Sequence, residues 1–292
     1  MSAGFEGFDL ADVDAGEVTL RVRTGGSGPP LLLLHGYPQT HLMWAPVAGA
    51  LADAFTVVAP DLRGYGDSTA PPDAADHATY GKRAMAADAV ALMAHLGYDR
   101  FDVAGHDRGG RAAYRLALDH PQAVRRLTVL DIVPTGEVWA RADDRFPLGY
   151  WHWPFLAQPH PVPETVIAHD PGFFFLDAQF GGVMRSFEAA DDYARHLRDP
   201  KVVHAICEDY RAGAKYDRAL DDQDRAAGHR ISCPTQVLWG ARGALPGWYD
   251  VLEVWRAWAD DVTGEALDCG HFLPEERPAE TAAALRAFHS AG

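Results

Sequence analysis

Short apolar runs recur along the chain and alternate with stretches whose apolar positions fall at helical spacing. EVTLRVR (17–23), LLLLH (31–35), FTVVAP (55–60), FDVAGH (101–106), RLTVLD (126–131), TQVLWG (235–240) and EALDC (265–269) predict strands. Helical spacing runs through 79–97 and returns after Asp107 and after Trp248. The runs at 31–35 and 55–60 are apolar almost without a break, the pattern of strands covered on both faces. The expected class is therefore α/β, with a mostly parallel central sheet, helices on both faces and right-handed crossovers. No internal repeat or low-complexity segment is present.

Residues 136–227 break the alternation. They are rich in aromatics, Pro and Asp (YWHWPF, DPGFFFLD, EDYRAG) and contain helical segments but no convincing strand until TQVLWG. The expected organisation is a core in two parts, 1–135 and 228–292, with 136–227 inserted as a helical cap. Ligand sites favour such junctions at the carboxyl ends of strands.

Composition narrows the function classes. The 292 residues, 48% hydrophobic and 23% charged, can bury one large core, or a core plus an insertion. A net charge of −15 disfavours nucleic acid and anionic membranes as partners, and an anionic substrate would need a local cluster of arginines. Three widely spaced cysteines, Cys207, Cys233 and Cys269, suit reduced thiols in a cytoplasm. The N-terminal MSAGFEGFDLADVD is acidic and lacks the apolar segment of a signal peptide, and no run approaches the roughly 20 apolar residues of a membrane span. H-E-x-x-H, G-x-x-x-x-G-K-[ST] and G-x-G-x-x-G patterns are absent.

Chemistry enters at DVAGHDRGGR (102–111), a strand that breaks into a glycine-flanked turn and a helix. Its centre, G-H-D-R-G, is the G-x-S-x-G elbow with Asp107 in place of the serine. Two readings are open: Asp107 caps the helix, or it is an exposed nucleophile kept ionised by the helix N-terminus. The second has a chemical rationale. After displacement at a saturated carbon, serine would leave an ether that resists hydrolysis, whereas a carboxylate leaves an ester that water can open. That route needs a histidine base, an acid to orient it and an oxyanion hole. His271 in DCGHFLPEERP follows the last expected strand, where this chain order puts the base. The segment ARGALPGWY after TQVLWG has no carboxylate before Asp250, so Asp131, closing RLTVLD, is the candidate acid, or else a turn residue ahead of Pro134. The backbone N–H groups of Tyr37, in HGYP (35–38), and of Arg108 are the candidate oxyanion donors.

HGYPQ, DLRGYGDS (61–68), GHDRGGR and CGHF together resemble the aspartate-nucleophile branch of the α/β-hydrolase superfamily, which holds haloalkane dehalogenases and epoxide hydrolases. GHDRGGR, LDIVPT (130–135), YWHWPF (150–155) and DYRAG (209–213) resemble the fluoroacetate (haloacetate) dehalogenases within it, and the likeness spans nearly the whole chain. The resemblance implies Asp107 as nucleophile, His271 as base and Asp131 as acid. It implies Arg108 and Arg111 as the grip on a small haloacid's carboxylate, and His152, Trp153 and Tyr210 as halide donors. A homodimer, with no metal or organic cofactor, is implied as well. The residues themselves agree: two arginines one and four places after Asp107 share the first helical turn and can hold a carboxylate by paired N–H groups, although surface ion pairs would look the same. The aromatics could equally be cap core. The GARGALPGWYD loop (240–250) departs from the family, which bears on access and substrate size. An epoxide hydrolase, with cap tyrosines Tyr150 and Tyr210 as acids, is the alternative; a non-enzymatic binding module on the same fold is a third.

Overall fold

The computed structural model describes residues 4–291; the first three residues of the N-terminal stretch lie outside the described residues. Eight strands form one sheet: β1 (Asp9–Asp14), β2 (Thr19–Gly26), β3 (Pro30–Leu34), β4 (Thr56–Pro60), β5 (Phe101–His106), β6 (Val124–Leu130), β7 (Thr235–Gly240) and β8 (Val262–Leu267), in the order β1-β2-β4-β3-β5-β6-β7-β8. The six strands from β4 to β8 run parallel, and β1 and β2 add an antiparallel edge. Every residue of β3 and of β5 is buried, as two-sided cover requires.

All seven expected strands are present, and β1 is one more. Its sequence, DLADVD, is exposed at all but one position and pairs only with β2, so it carries no apolar run to betray it. At the other edge β8 starts three residues earlier than expected and is mostly exposed or half-buried.

Topology places the site. The connection from β3 to β4 holds helix Ala45–Ala52 and turns one way along the sheet, while the connection from β5 to β6 holds helix Asp107–Asp119 and turns the other way. Right-handed crossovers put these helices on opposite faces. The sheet order therefore reverses between β3 and β5, which leaves a crevice at their carboxyl ends. The loops at that point begin at His35 and Asp107. Between β6 and β7 the described chain forms helices and no strand, from Thr135 to Ala227. Among the described residues no helix is long and apolar enough to cross a membrane.

Candidate active site

The elbow is built by what its glycines lack. A Cβ on Gly105 would lie 2.4 Å from the carbonyl oxygen of Gly109, and one on Gly109 would lie 2.3 Å from those of Leu34 and His35. With the backbones this close, Asp107 sits at a φ of +45°, a left-handed conformation worth about 1–3 kcal/mol of strain in a non-glycine residue. Its side chain faces a cavity of about 220 Å³ whose walls include Arg111, Asp131, Tyr150, His152, Trp153 and His271. A wider hollow of about 580 Å³, between Leu42, Phe187 and Glu275, contains none of these residues. Chemistry, not size, marks the smaller cavity.

Asp107 Oδ2 accepts a hydrogen bond from the Tyr37 N–H at 3.0 Å. Burial pushes this carboxyl up, but the charges of His271, Arg111, His106 and Arg108 outweigh it and hold the pKa below the usual carboxylate value. The group is thus ionised and partly desolvated, as a nucleophile must be. The N–H of Arg108 opens the helix that starts at Asp107, among the amides that have no partner within the helix.

His271 lies in the loop after β8, and its Nδ1–H donates to Asp131 Oδ2 at 2.6 Å. Asp131 follows β6 at a φ of +52°, and its other oxygen accepts from the Gly240 N–H at 2.9 Å. Burial lowers the His271 pKa, and the hydrogen bond and charge of Asp131 more than restore it, so the net shift is upward. His106, behind the imidazole, donates from Nε2 to the His271 carbonyl at 2.8 Å, while Phe180 stacks on the imidazole at 5.8 Å. The bond to Asp131 leaves Nε2 of His271 as the basic nitrogen.

The two arginines differ. Arg111 lines the cavity, with its guanidinium over the Trp153 ring at 4.6 Å and Nη1 donating to the Val133 carbonyl (2.9 Å) and Thr135 Oγ1 (3.2 Å). Arg108 lies behind the wall. Its Nε donates to Asp209 Oδ2 at 3.1 Å, its Nη2 pairs with Asp209 Oδ1 and donates to the Asp209 carbonyl, and its guanidinium sits 4.4 Å above the Tyr210 ring. Arg108 Nη1 and Arg111 Nε are buried without a protein partner.

His152 and Trp153 share helix His152–Leu156, and Tyr210 lies on helix Pro200–Ala212. The three are buried together, with the Tyr210 ring 5.9 Å from His152 and 5.7 Å from Trp153. Tyr210 packs against Tyr37, His152 and Trp153, which line the cavity. Burial drops the His152 pKa to about 3, so this imidazole is neutral at physiological pH and carries one N–H. The 240–250 loop supplies Ala244 to the cavity wall and packs Trp248 on Tyr150 at 4.7 Å.

Four residues of the site escape sequence reasoning. Gln179 lines the cavity and accepts from the Tyr37 hydroxyl at 2.6 Å, and Phe180 beside it covers His271. They sit in an irregular stretch between β6 and β7 with no spacing to single them out. Asp209 and Lys82 pair with each other, and Asp209 with Arg108, wholly out of solvent. Asp209 opens DYRAG beside Tyr210, but nothing in the sequence joins it to Lys82.

Comparison with known proteins places this geometry. Residues 29–278 match the α/β hydrolase fold family. The chain is an α/β hydrolase. It is 45% identical to a fluoroacetate dehalogenase from Burkholderia sp, over 98% of this chain and 95% of that one. It is 36% identical to a soluble epoxide hydrolase from Corynebacterium sp. (strain C12), over 87% of this α/β hydrolase and 88% of that protein. A crystal structure from Nostoc sp PCC 7120, described as that of an α/β hydrolase, superposes with a TM-score of 0.93 at 47% identity, covering 99% of this chain and 100% of the other.

Proposed function

We propose that the protein hydrolyses haloacetates, fluoroacetate or chloroacetate, to glycolate and halide. The observation that carries this reading is the carboxylate at the elbow, ionised and facing the cavity that His271 also lines. The similarity to the Burkholderia dehalogenase agrees with it. In the first step an Asp107 carboxylate oxygen attacks the α-carbon, the carbon–halogen bond breaks, and the halide leaves with the bonding pair. His152, Trp153 and Tyr210 stabilise the departing anion, and Arg111, with Arg108 behind it, balances the substrate carboxylate. In the second step His271 takes a proton from water as that water attacks the Asp107 carbonyl carbon. The N–H groups of Tyr37 and Arg108 hold the oxyanion, the ester C–O bond to the glycolyl group breaks, and His271 returns its proton to the leaving alkoxide. Asp131 keeps the imidazole in the tautomer that this requires.

The reading extends to the whole chain. Residues 136–227 are the cap, which closes the cavity with His152, Trp153, Gln179 and Phe180 between the core parts 1–135 and 228–292. Three buried free cysteines suit a reducing cytoplasm. The assembly is a homodimer, as the family resemblance implies.

Epoxide hydrolysis is the second reading, because Tyr150 lines the cavity and could protonate an opening ring. Arg111 and the neutral His152 beside Trp153 serve an anion better than an epoxide oxygen. Halide release from chloroacetate against diol formation from styrene oxide separates the two, and the dehalogenase reading requires the first without the second. Turnover of neither would favour a binding module.

A further inference from the structure

Beside helix Pro200–Ala212, histidines and carboxylates converge that the reaction does not use. His160, Glu164 and His204 bring one ligand atom each within 4.8 Å of one another. Nδ1 of His160 lies 3.3 Å, and Nδ1 of His204 3.0 Å, from the same oxygen, Glu164 Oε1. Metal–ligand bonds of zinc length set the edge of a tetrahedron at about 3.3–3.5 Å, so two of the three edges already have nearly that size.

We propose that His160, Glu164 and His204 bind a divalent transition-metal ion of the zinc class, with water in the fourth position. The groups behind the ligands support this. Metal-bound imidazoles usually give their other N–H to a carboxylate, and metal-bound carboxylates are themselves hydrogen-bonded. Arg211 donates to Glu164 through Nη1 at 2.8 Å and Nη2 at 3.0 Å, while Nε2 of His204 has no hydrogen bond among the described residues and faces Asp73 Oδ1 at 3.6 Å, beyond hydrogen-bond distance. Glu208 is engaged by Arg211 (2.8 Å) and His77 (2.7 Å), which leaves the His160 side as the open one. Three carboxylates, Asp73, Glu164 and Glu208, stand around His204 with the guanidinium of Arg211 among them, an acidic setting for a cation. His160 is 62% exposed, so an ion reaches the site from solvent. Two imidazoles with one carboxylate select zinc, nickel or copper over magnesium. The ion would tie the segment around Glu164 to the helix that carries Asp209 and Tyr210. No short motif reveals the trio, because His204 stands 40 residues from Glu164.

The test is calorimetric titration of the full chain, freed of metal by chelator and dialysis, with zinc chloride, and with magnesium chloride as control. One equivalent of zinc should bind at micromolar or tighter affinity, magnesium should not, and His160→Ala and His204→Ala should each weaken zinc at least about tenfold. Zinc should also raise the Tm of the wild type and not that of His160→Ala, whose exposed position leaves the fold intact. Absence of stoichiometric zinc binding in the wild type, or zinc binding by His160→Ala as tight as wild type, would overturn the proposal, the latter by locating the ion elsewhere.

Discussion

Substituting Asp209 by Asn removes a charge from an ion cluster buried out of solvent. Its carboxylate is out of solvent and is shared by Arg108, Lys82 and the Tyr65 hydroxyl, the last at 2.8 Å. Burial works to raise the Asp209 pKa, yet Arg108 and Lys82 bring it down to about 2, a sign of how strongly two cations depend on one anion. Removing that anion leaves Arg108 and Lys82 with the more distant Asp217, whose carboxyl burial already pushes above its usual value. Breaking a buried pair from one side costs about 3–5 kcal/mol. For a chain of this size, at about 2–4 °C per kcal/mol, Tm should fall by roughly 6–20 °C. Urea denaturation at constant m reads the same loss as a lower midpoint. Function should follow structure, because the Arg108 guanidinium loses its anchor beside Tyr210: KM for chloroacetate should rise in Asp209→Asn below its Tm. A loss under about 1 kcal/mol with unchanged KM would refute the reasoning, by showing that Lys82 sheds its proton or that water enters to solvate the cations.

Three further outcomes are expected. Arg111→Lys should lower kcat/KM for chloroacetate by about one to two powers of ten, the worth of a charged hydrogen bond of roughly 1.5–3 kcal/mol, and the wild type should turn over chloroacetamide poorly; equal use of acid and amide would count against a carboxylate grip. Trp153→Phe and Tyr210→Phe should depress fluoroacetate turnover at least about tenfold more than bromoacetate turnover, because fluoride needs the donors most; equal losses would reduce both residues to cap packing. As pH falls through the raised pKa of His271, the protonated imidazole can no longer accept a proton from water, while Asp107, with its lowered pKa, stays ionised. Acid quenching across that range should trap the ester by mass, and an ester level independent of pH would deny His271 its place in the second step.

How far the sequence carried varies with the physics of each residue. Strands β3 and β5 were legible because two-sided burial demands unbroken apolar runs, whereas β1 was not, since an exposed edge strand can be as acidic as DLADVD. Asp107, Asp131 and His271 could be found because each follows a strand, and backbone geometry fixes where such residues converge. The unequal placement of Arg108 and Arg111 could not: adjacency to Asp107 puts both on one helical turn, but only the fold shows Asp209 reaching across from another helix to take Arg108. Gln179 and Phe180 reach the cavity from an irregular segment whose path no periodicity encodes.

Covalent attack by Asp107 is the step on which the proposed reaction turns. Single-turnover reaction of excess enzyme with chloroacetate in ¹⁸O water, followed by mass analysis of the peptide containing Asp107, tests it directly. Opening of an alkyl ester at its carbonyl carbon puts the label into Asp107 and leaves the first glycolate unlabelled. Label in the glycolate and none in Asp107 would mean that water attacks the substrate carbon itself, with Asp107 only a base.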